Sequence, residues 1–151
     1  MIVRKASSMQ DVEKMVALGA EMHAESRYAA KPYLFSKLEG YGSHYVRDPN
    51  AGVCILAEED DACHGIMVGF ASKTYFSDEV CAKEMVLYVR PAKRKGTTAM
   101  RLVREFEHWA KEIGAAEIHV GVTADIDDDK AIRFYNAMGY GPRGIILAKE
   151  I

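Results

Sequence analysis

The chain has 151 residues, a formal net charge of −2 at pH 7 and 49% hydrophobic residues. This length fits one domain with an ordinary core, and the nearly balanced charge argues against nucleic acid as the main partner. Three cysteines without a paired CxxC spacing indicate reduced thiols rather than a disulfide frame or zinc site. No apolar run approaches the roughly 20 residues that span a bilayer, so we expect a soluble, cytoplasmic protein with no membrane partner.

Hydrophobic periodicity predicts an alternating series of strands and helices. In chain order, we expect a strand at 2–5, a helix after Ser7 or Ser8, a helix near 35–46, strands at 53–57, 65–75 and 83–89, a helix at 97–113, a strand at 117–122, a helix at 128–138 and a strand at 144–149. Pro91 ends the third of the middle strands, and Gly114 stops the helix that follows.

The order of these elements predicts the fold class. Hairpin strands in the middle, followed by strand, helix, strand, helix and strand, give a mixed and mostly antiparallel central sheet with helices on both faces. We therefore expect a single α/β domain over residues 1–151, with no repeat or linker inside it.

A basic loop joins the strand at 83–89 to the helix at 97–113. Its cations are Arg90, Lys93, Arg94 and Lys95, and no acidic residue lies between Val89 and Arg104. A helix start leaves backbone N–H groups unpaired and carries partial positive charge, so a diphosphate placed there finds donors aimed at it. The alternative is a solvated, positively charged surface turn.

Two ordered motifs carry a resemblance to a known family. The segment Arg94-Lys95-Gly96-Thr97-Thr98-Ala99 resembles the acyl-coenzyme A loop of the GNAT N-acetyltransferases, which has Arg or Gln, two residues, Gly, one residue, then Gly or Ala. Downstream, the helix that begins at Asp128 and ends in Phe134-Tyr135, three residues, Gly139 and Tyr140 resembles the later motif of that family. Thr97 replaces the usual first glycine of the loop, and Asp128 replaces the usual asparagine.

The resemblance implies a GNAT-like fold that splays two neighbouring strands around the arm of acetyl-coenzyme A (acetyl-CoA). It implies direct transfer of the acetyl group to a primary amine, with no metal and no covalent enzyme intermediate. The cofactor contacts that it implies are Leu87, Tyr88 and Val89, through their main chain, then Arg94, Lys95, Gly96, Thr97, Thr98 and Ala99, and finally Asp128 and Tyr135.

The resemblance also implies roles for particular side chains. Tyr135 matches the tyrosine of the family that donates a proton to the departing thiolate, although a tyrosine here also suits a buried helix face. Glu84 lies early on its strand, where some members use a glutamate to take the proton of the amine, although a strand-end glutamate is also typical of a solvated surface. His23, Glu25 and His44 are rival bases, and His23 and Glu25 are candidate substrate contacts.

Other functions stay open at this point. A catalytically inactive sensor or protein-interaction module could keep the same acyl-CoA pocket, whereas a nucleic-acid surface predicts binding that weakens steeply with salt. The acidic run Asp125, Asp127, Asp128 and Asp129 lacks the Gly and Glu spacing of a calcium loop, so no metal is expected. The acceptor, whether a small molecule or a peptide amine, is undetermined, and a homodimer paired through strand edges is open.

Overall fold

The computed structural model describes all residues, 1–151. It contains five strands and four α-helices: β1 Ile2–Lys5, α1 Met9–Glu25, α2 Phe35–Arg47, β2 Gly52–Glu59, β3 Ala62–Lys73, β4 Val80–Val89, α3 Thr98–Glu112, β5 Glu117–His119 and α4 Asp128–Ala137. A single 3-10 turn, Pro91–Lys93, follows β4. The predicted α/β class is confirmed, and most predicted elements occur within a few residues of their expected bounds.

The strands form one sheet in the order β1-β2-β3-β4-β5. The first four strands pair antiparallel with their neighbours, whereas β5 pairs parallel with β4. The β2–β3 turn uses Asp60 and Asp61, both with positive φ, a conformation that Asp tolerates better than most residues. The predicted mixed, mostly antiparallel sheet is therefore confirmed.

The sheet carries a separate apolar core on each face. Helix α3 packs on one face, where Phe106 and Trp109 are almost fully buried and stack at 5.5 Å between ring centroids. Burying an aromatic or large aliphatic side chain contributes about 1.5–3 kcal/mol, so this face anchors α3 firmly. Helices α1 and α2 cover the other face, with Leu18, Leu56 and Ile66 in its core.

Local sequence signals explain where the helices begin and end. The Ser8 side chain accepts a hydrogen bond from the Asp11 N–H at 3.2 Å and caps α1, as one of the two predicted caps. Gly114 follows α3 with a φ of +71°, a conformation that glycine adopts without a steric penalty. Gly42 of α2 lies directly against Val12 of α1. The helices pack this closely because glycine has no side chain that would overlap the valine.

Two predicted strands differ from the structure. The last one, at 144–149, is wrong: residues 141–151 contain no strand, and Ile145, Ile146 and Leu147 are each more than four-fifths exposed. The strand predicted at 117–122 ends at His119, because the chain there turns away from β4. No helix is both long and apolar enough to cross a membrane.

Candidate active site

A gap between β4 and β5 is the central feature of the site. The two strands pair only from Cys81 to Lys83 of β4, and then they separate. On its other edge, β4 continues to pair with β3, but a bulge puts Val86 opposite Val68 and Glu84 opposite Gly69, which leaves Met85 as the extra residue. The main chain of β4 beyond Lys83 therefore faces the gap without a strand partner, and the divergence implied by the resemblance is confirmed.

The carboxyl group of Glu84 lies in this gap. The N–H of Gly121, in the loop after β5, donates a hydrogen bond to Glu84 Oε2 at 2.8 Å. Burial raises the pKa of the Glu84 carboxyl from its ordinary 4.5 to about 7, against a smaller lowering by the backbone N–H groups of Gly121 and Leu87. A carboxyl with this pKa exchanges a proton readily near neutral pH.

Tyr135 brings a second titratable group to the same place. It projects from α4 into the core beneath α3, where it is 6% exposed. Burial, followed by the nearby charges of Glu84 and Tyr140, raises the pKa of its hydroxyl far above the ordinary 10. Because of this raised pKa the hydroxyl stays protonated near neutral pH, and it makes no hydrogen bond to another group of the protein.

The start of α3 presents a row of unused donors. The first helical hydrogen bond runs from the Arg101 N–H to the Thr97 carbonyl at 3.0 Å, and the N–H groups of residues 95–100 have no acceptor in the structure. Thr97 is the N-cap residue, yet its side chain makes no capping hydrogen bond. Six consecutive free donors at a helix N-terminus are well suited to a phosphate or diphosphate.

The basic side chains of the loop are mostly neutralised within the protein. Arg90 pairs with Glu21 of α1, Arg94 pairs with Glu25 at 2.9 Å, and Lys93 pairs with Glu59 of β2. Lys95 alone makes no ion pair among the four cations of the loop. The loop is therefore a fixed structure braced by carboxylates, and its anion-binding capacity lies in the backbone and in Lys95.

The substitution of Thr for Gly at position 97 fits the backbone. Thr97 has a φ of −92° and a ψ of 5°, which a β-branched residue can adopt. Gly96 has no positive φ, and a Cβ there would meet nothing within 4 Å. The departure from the motif of the family at this position therefore introduces no backbone strain.

The remaining predicted contacts lie around the gap and the loop. The Leu87 side chain packs against the α3 face, and the carbonyl of Val89 accepts a hydrogen bond from Arg94 Nε at 2.7 Å. Thr98 is buried and Ala99 is half-buried in the first turn of α3, whereas Asp128 begins α4 behind Asp127, which has a φ of 53°. Leu87, Val89, Thr98 and Ala99 thus lie along the end of β4 and the start of α3, and no contact joins Asp128 to them. The roles of all these residues stay predictions.

The predicted substrate residues occupy three different environments. Glu25 accepts hydrogen bonds from the Tyr88 hydroxyl and from Arg94, so it braces the loop. His23 lines a cavity between α1, α2 and the sheet, with its ring 5.2 Å from that of Tyr33. His44 is exposed on α2 outside that cavity. Of the three, only His23 borders a space that a small molecule could enter.

Sequence reasoning missed several features of the site. Nothing in the sequence marks Gly121 as the donor to Glu84, because the contact depends on how far β5 diverges. The bulge at Met85 also leaves no local signal, although it sets which face each following residue of β4 occupies.

No group of three or more His, Cys, Asp and Glu side chains that could hold a metal ion occurs in the structure.

The sequence resembles one known protein family. Residues 16–140 match the acetyltransferase (GNAT) family, whereas no relative was found among the curated proteins. The fold is similar to that of AAC(6')-Iy in complex with the bisubstrate analog CoA-S-monomethyl-acetylneamine, with a TM-score of 0.75, 14% identity, and coverage of 99% of this chain and 98% of that chain.

Two further solved structures share the fold. One is a ribosomal-protein-alanine N-acetyltransferase from Brucella melitensis biovar Abortus 2308, with a TM-score of 0.71, 14% identity and full coverage of both chains. The other is an aminoglycoside acetyltransferase from an uncultured soil metagenomic sample, with a TM-score of 0.69, 20% identity, and coverage of 99% of this chain and 96% of that chain. At these identities the likeness shows the fold alone. Since the family match spans most of the chain, the protein belongs to the GNAT family of acetyltransferases.

Proposed function

We propose that this acetyltransferase moves an acetyl group from acetyl-CoA to a primary amine. The observation that carries the proposal is the row of free N–H donors at residues 95–100, in the loop and helix start that directly follow β4, the strand that carries Glu84. The donors suit a diphosphate, and the unpaired edge of β4 suits an extended, amide-bearing arm. When bound, acetyl-CoA supplies an activated acyl group. The protein must bind both reactants and move the protons.

The proton chemistry is divided between two groups. An alkylamine is mostly protonated near neutral pH and must lose a proton before it can attack. We assign this task to Glu84, because a carboxyl with a pKa of about 7 accepts a proton in that range. We assign proton donation to the departing thiolate to Tyr135, whose hydroxyl stays protonated and lies near enough to Glu84 for the charge of that carboxylate to raise its pKa.

Binding is tested by calorimetric titration with acetyl-CoA, using a variant that changes charge without changing packing. Since a side chain at Gly96 meets no atom within 4 Å, Gly96→Glu places a carboxylate beside the free donors without a steric clash. Two like charges about 4 Å apart repel by about 1 kcal/mol even in bulk water, so the affinity for acetyl-CoA should fall at least about fivefold.

The matched control is Gly141→Glu, which makes the same charge change at a position that also has open space around it. It should bind acetyl-CoA as the wild type does. Equal loss in both variants, or no heat of binding in the wild type, would contradict the proposed site. Release of free thiol with a panel of primary amines then tests transfer, and tight binding without thiol release from any amine would indicate the inactive sensor.

A further inference from the structure

A largely apolar cavity lies beside His23, outside the gap. It lies between α1, α2 and the sheet, has a volume of about 220 Å³, and 13 of its 17 lining residues are hydrophobic. Met15, Val16 and Leu38 supply helix-borne walls, whereas Val68 and Val86 supply the floor on β3 and β4. An apolar cavity of about 150 Å³ can hold a benzene molecule, so this one accommodates an aromatic ring or a branched alkyl group.

Two of the polar side chains in the lining form hydrogen bonds within the protein, whereas the side chains of His23, Tyr28 and Tyr41 form none. The Tyr33 hydroxyl donates to the Val16 carbonyl at 2.6 Å, and the Ser26 hydroxyl donates to the His23 carbonyl at 2.9 Å. No Asp, Glu, Lys or Arg side chain lines the cavity. A cation that entered it would lose its hydration without gaining a counter-charge, which is strongly unfavourable, whereas an apolar group would be favoured.

The cavity meets the acyl-transfer gap at the bulge of β4. Met85, the extra residue of the bulge, and Val86 both line the cavity. Their chain neighbours Glu84 and Leu87 lie towards the gap and the α3 face. A molecule that fills the cavity with one end can therefore present its other end to the transfer site at the bulge.

We propose that the acceptor is a primary amine that carries an aromatic or branched aliphatic group, and that this group binds in the cavity between α1, α2 and the sheet. This inference rests on the proposed acetyl transfer and narrows its substrate class. It disfavours polycationic acceptors such as neamine, because the lining offers no carboxylate to several ammonium groups.

The test compares kcat/KM for thiol release from acetyl-CoA with three amines: 2-phenylethylamine, ethylamine and neamine. Removing a ring from an apolar site loses the transfer free energy of a buried aromatic group, so 2-phenylethylamine should exceed ethylamine at least about tenfold. It should exceed neamine by a similar or larger factor. Calorimetry of 2-phenylethylamine against the CoA-saturated protein should show binding that ethylamine does not reproduce at the same concentration.

Two variants of α2 localise the effect. Leu38 lines the cavity, whereas its neighbour Lys37 is exposed and does not. Leu38→Trp should fill the cavity and lower kcat/KM for 2-phenylethylamine at least about tenfold more than it lowers kcat/KM for ethylamine. Lys37→Trp should leave both values near those of the wild type.

The outcomes separate the two proposals. Thiol release with neamine or ethylamine that equals or exceeds release with 2-phenylethylamine overturns the apolar-acceptor inference and leaves acetyl transfer intact. An equal effect of Leu38→Trp on both small amines also overturns it, because the ring would then bind elsewhere. Absence of thiol release with every amine overturns the proposed transfer, and the acceptor inference with it.

Discussion

Glu84 makes the stability of this protein depend on pH in a direction opposite to that of most carboxylates. Burial raises its pKa from 4.5 to about 7, so the folded protein binds this proton more tightly than the unfolded chain does. The stabilisation is fully present below about pH 4.5 and is lost as the pH rises through about 7. Since each pKa unit corresponds to about 1.4 kcal/mol, the loss approaches about 3 kcal/mol above pH 8.

The perturbation is Glu84→Gln, which keeps the size of the side chain and its acceptor for the Gly121 N–H but removes the titration. We would measure the free energy of unfolding by urea denaturation at pH 5, 6, 7 and 8 in both proteins. The difference, wild type minus variant, should fall by about 2.5 kcal/mol from pH 5 to pH 8, because part of the loss has already occurred at pH 5. Titrations elsewhere in the molecule cancel in this difference.

The control is Glu79→Gln, which removes an exposed carboxylate without an ion pair just before the same strand. Parallel pH profiles for the wild type and Glu84→Gln, with a difference constant to within about 0.5 kcal/mol, would refute the burial of the Glu84 carboxyl.

The same pair of proteins tests catalysis. The kcat/KM of the wild type should rise with pH through about 7, and Glu84→Gln should lower it and abolish that inflection.

Three further predictions concern single positions. Tyr135→Phe should lower kcat about 100-fold, the lower end of the range for a general acid, while calorimetry shows unchanged acetyl-CoA affinity. Gly69→Ala should destabilise the fold by about 1–3 kcal/mol, because its Cβ would overlap the α3 core and lie 2.8 Å from a backbone carbonyl, whereas Gly96→Ala should leave the denaturation midpoint unchanged. Glu25→Ala should lower stability by about 1–3 kcal/mol in the same assay, because the buried Tyr88 hydroxyl loses its acceptor.

Local signals in the sequence predicted most of the fold because they act over a few residues. Ser8 caps α1 through its own side chain, Pro91 ends β4 because it lacks an N–H, and Gly114 ends α3 by adopting a positive φ. The apolar stripe of α3 likewise follows from its helical period, and its residues Phe106 and Trp109 are buried. None of these signals requires knowledge of a distant partner.

The last predicted strand, at 144–149, does not form, because strand formation depends on a pairing partner elsewhere in the chain. The apolar run near Ile145 has the composition of a strand, but a strand also needs an edge with which to pair. The parallel pairing of β5 with β4 ends at His119, and residues 141–151 make no backbone hydrogen bond to the sheet. Composition alone therefore cannot tell a paired strand from an extended segment.

Electrostatics was the least predictable part of the site, because ion pairs join residues that are distant in sequence. In the sequence, the loop after β4 contains four basic residues with no acidic residue nearby. In the structure, three of these side chains form ion pairs with glutamates of α1 and β2. The same folding that neutralises Arg94 also fixes its position, since its guanidinium donates both to Glu25 and to the Val89 carbonyl. The ion pairs thus hold the loop in the shape that exposes its backbone donors.

This use of Glu25 links the cofactor side of the site to the choice of acceptor. A carboxylate that hydrogen-bonds to Tyr88 and Arg94 is committed to bracing the loop, and burial together with this contact raises the pKa of Tyr88 to about 12. Glu25 therefore does not line the cavity, and no other acidic side chain does. Because Glu21 and Glu25 of α1 pair with the loop after β4, the cavity offers mainly apolar contacts to an acceptor. The proposed transferase should therefore select amines by the group that fills the cavity rather than by charge.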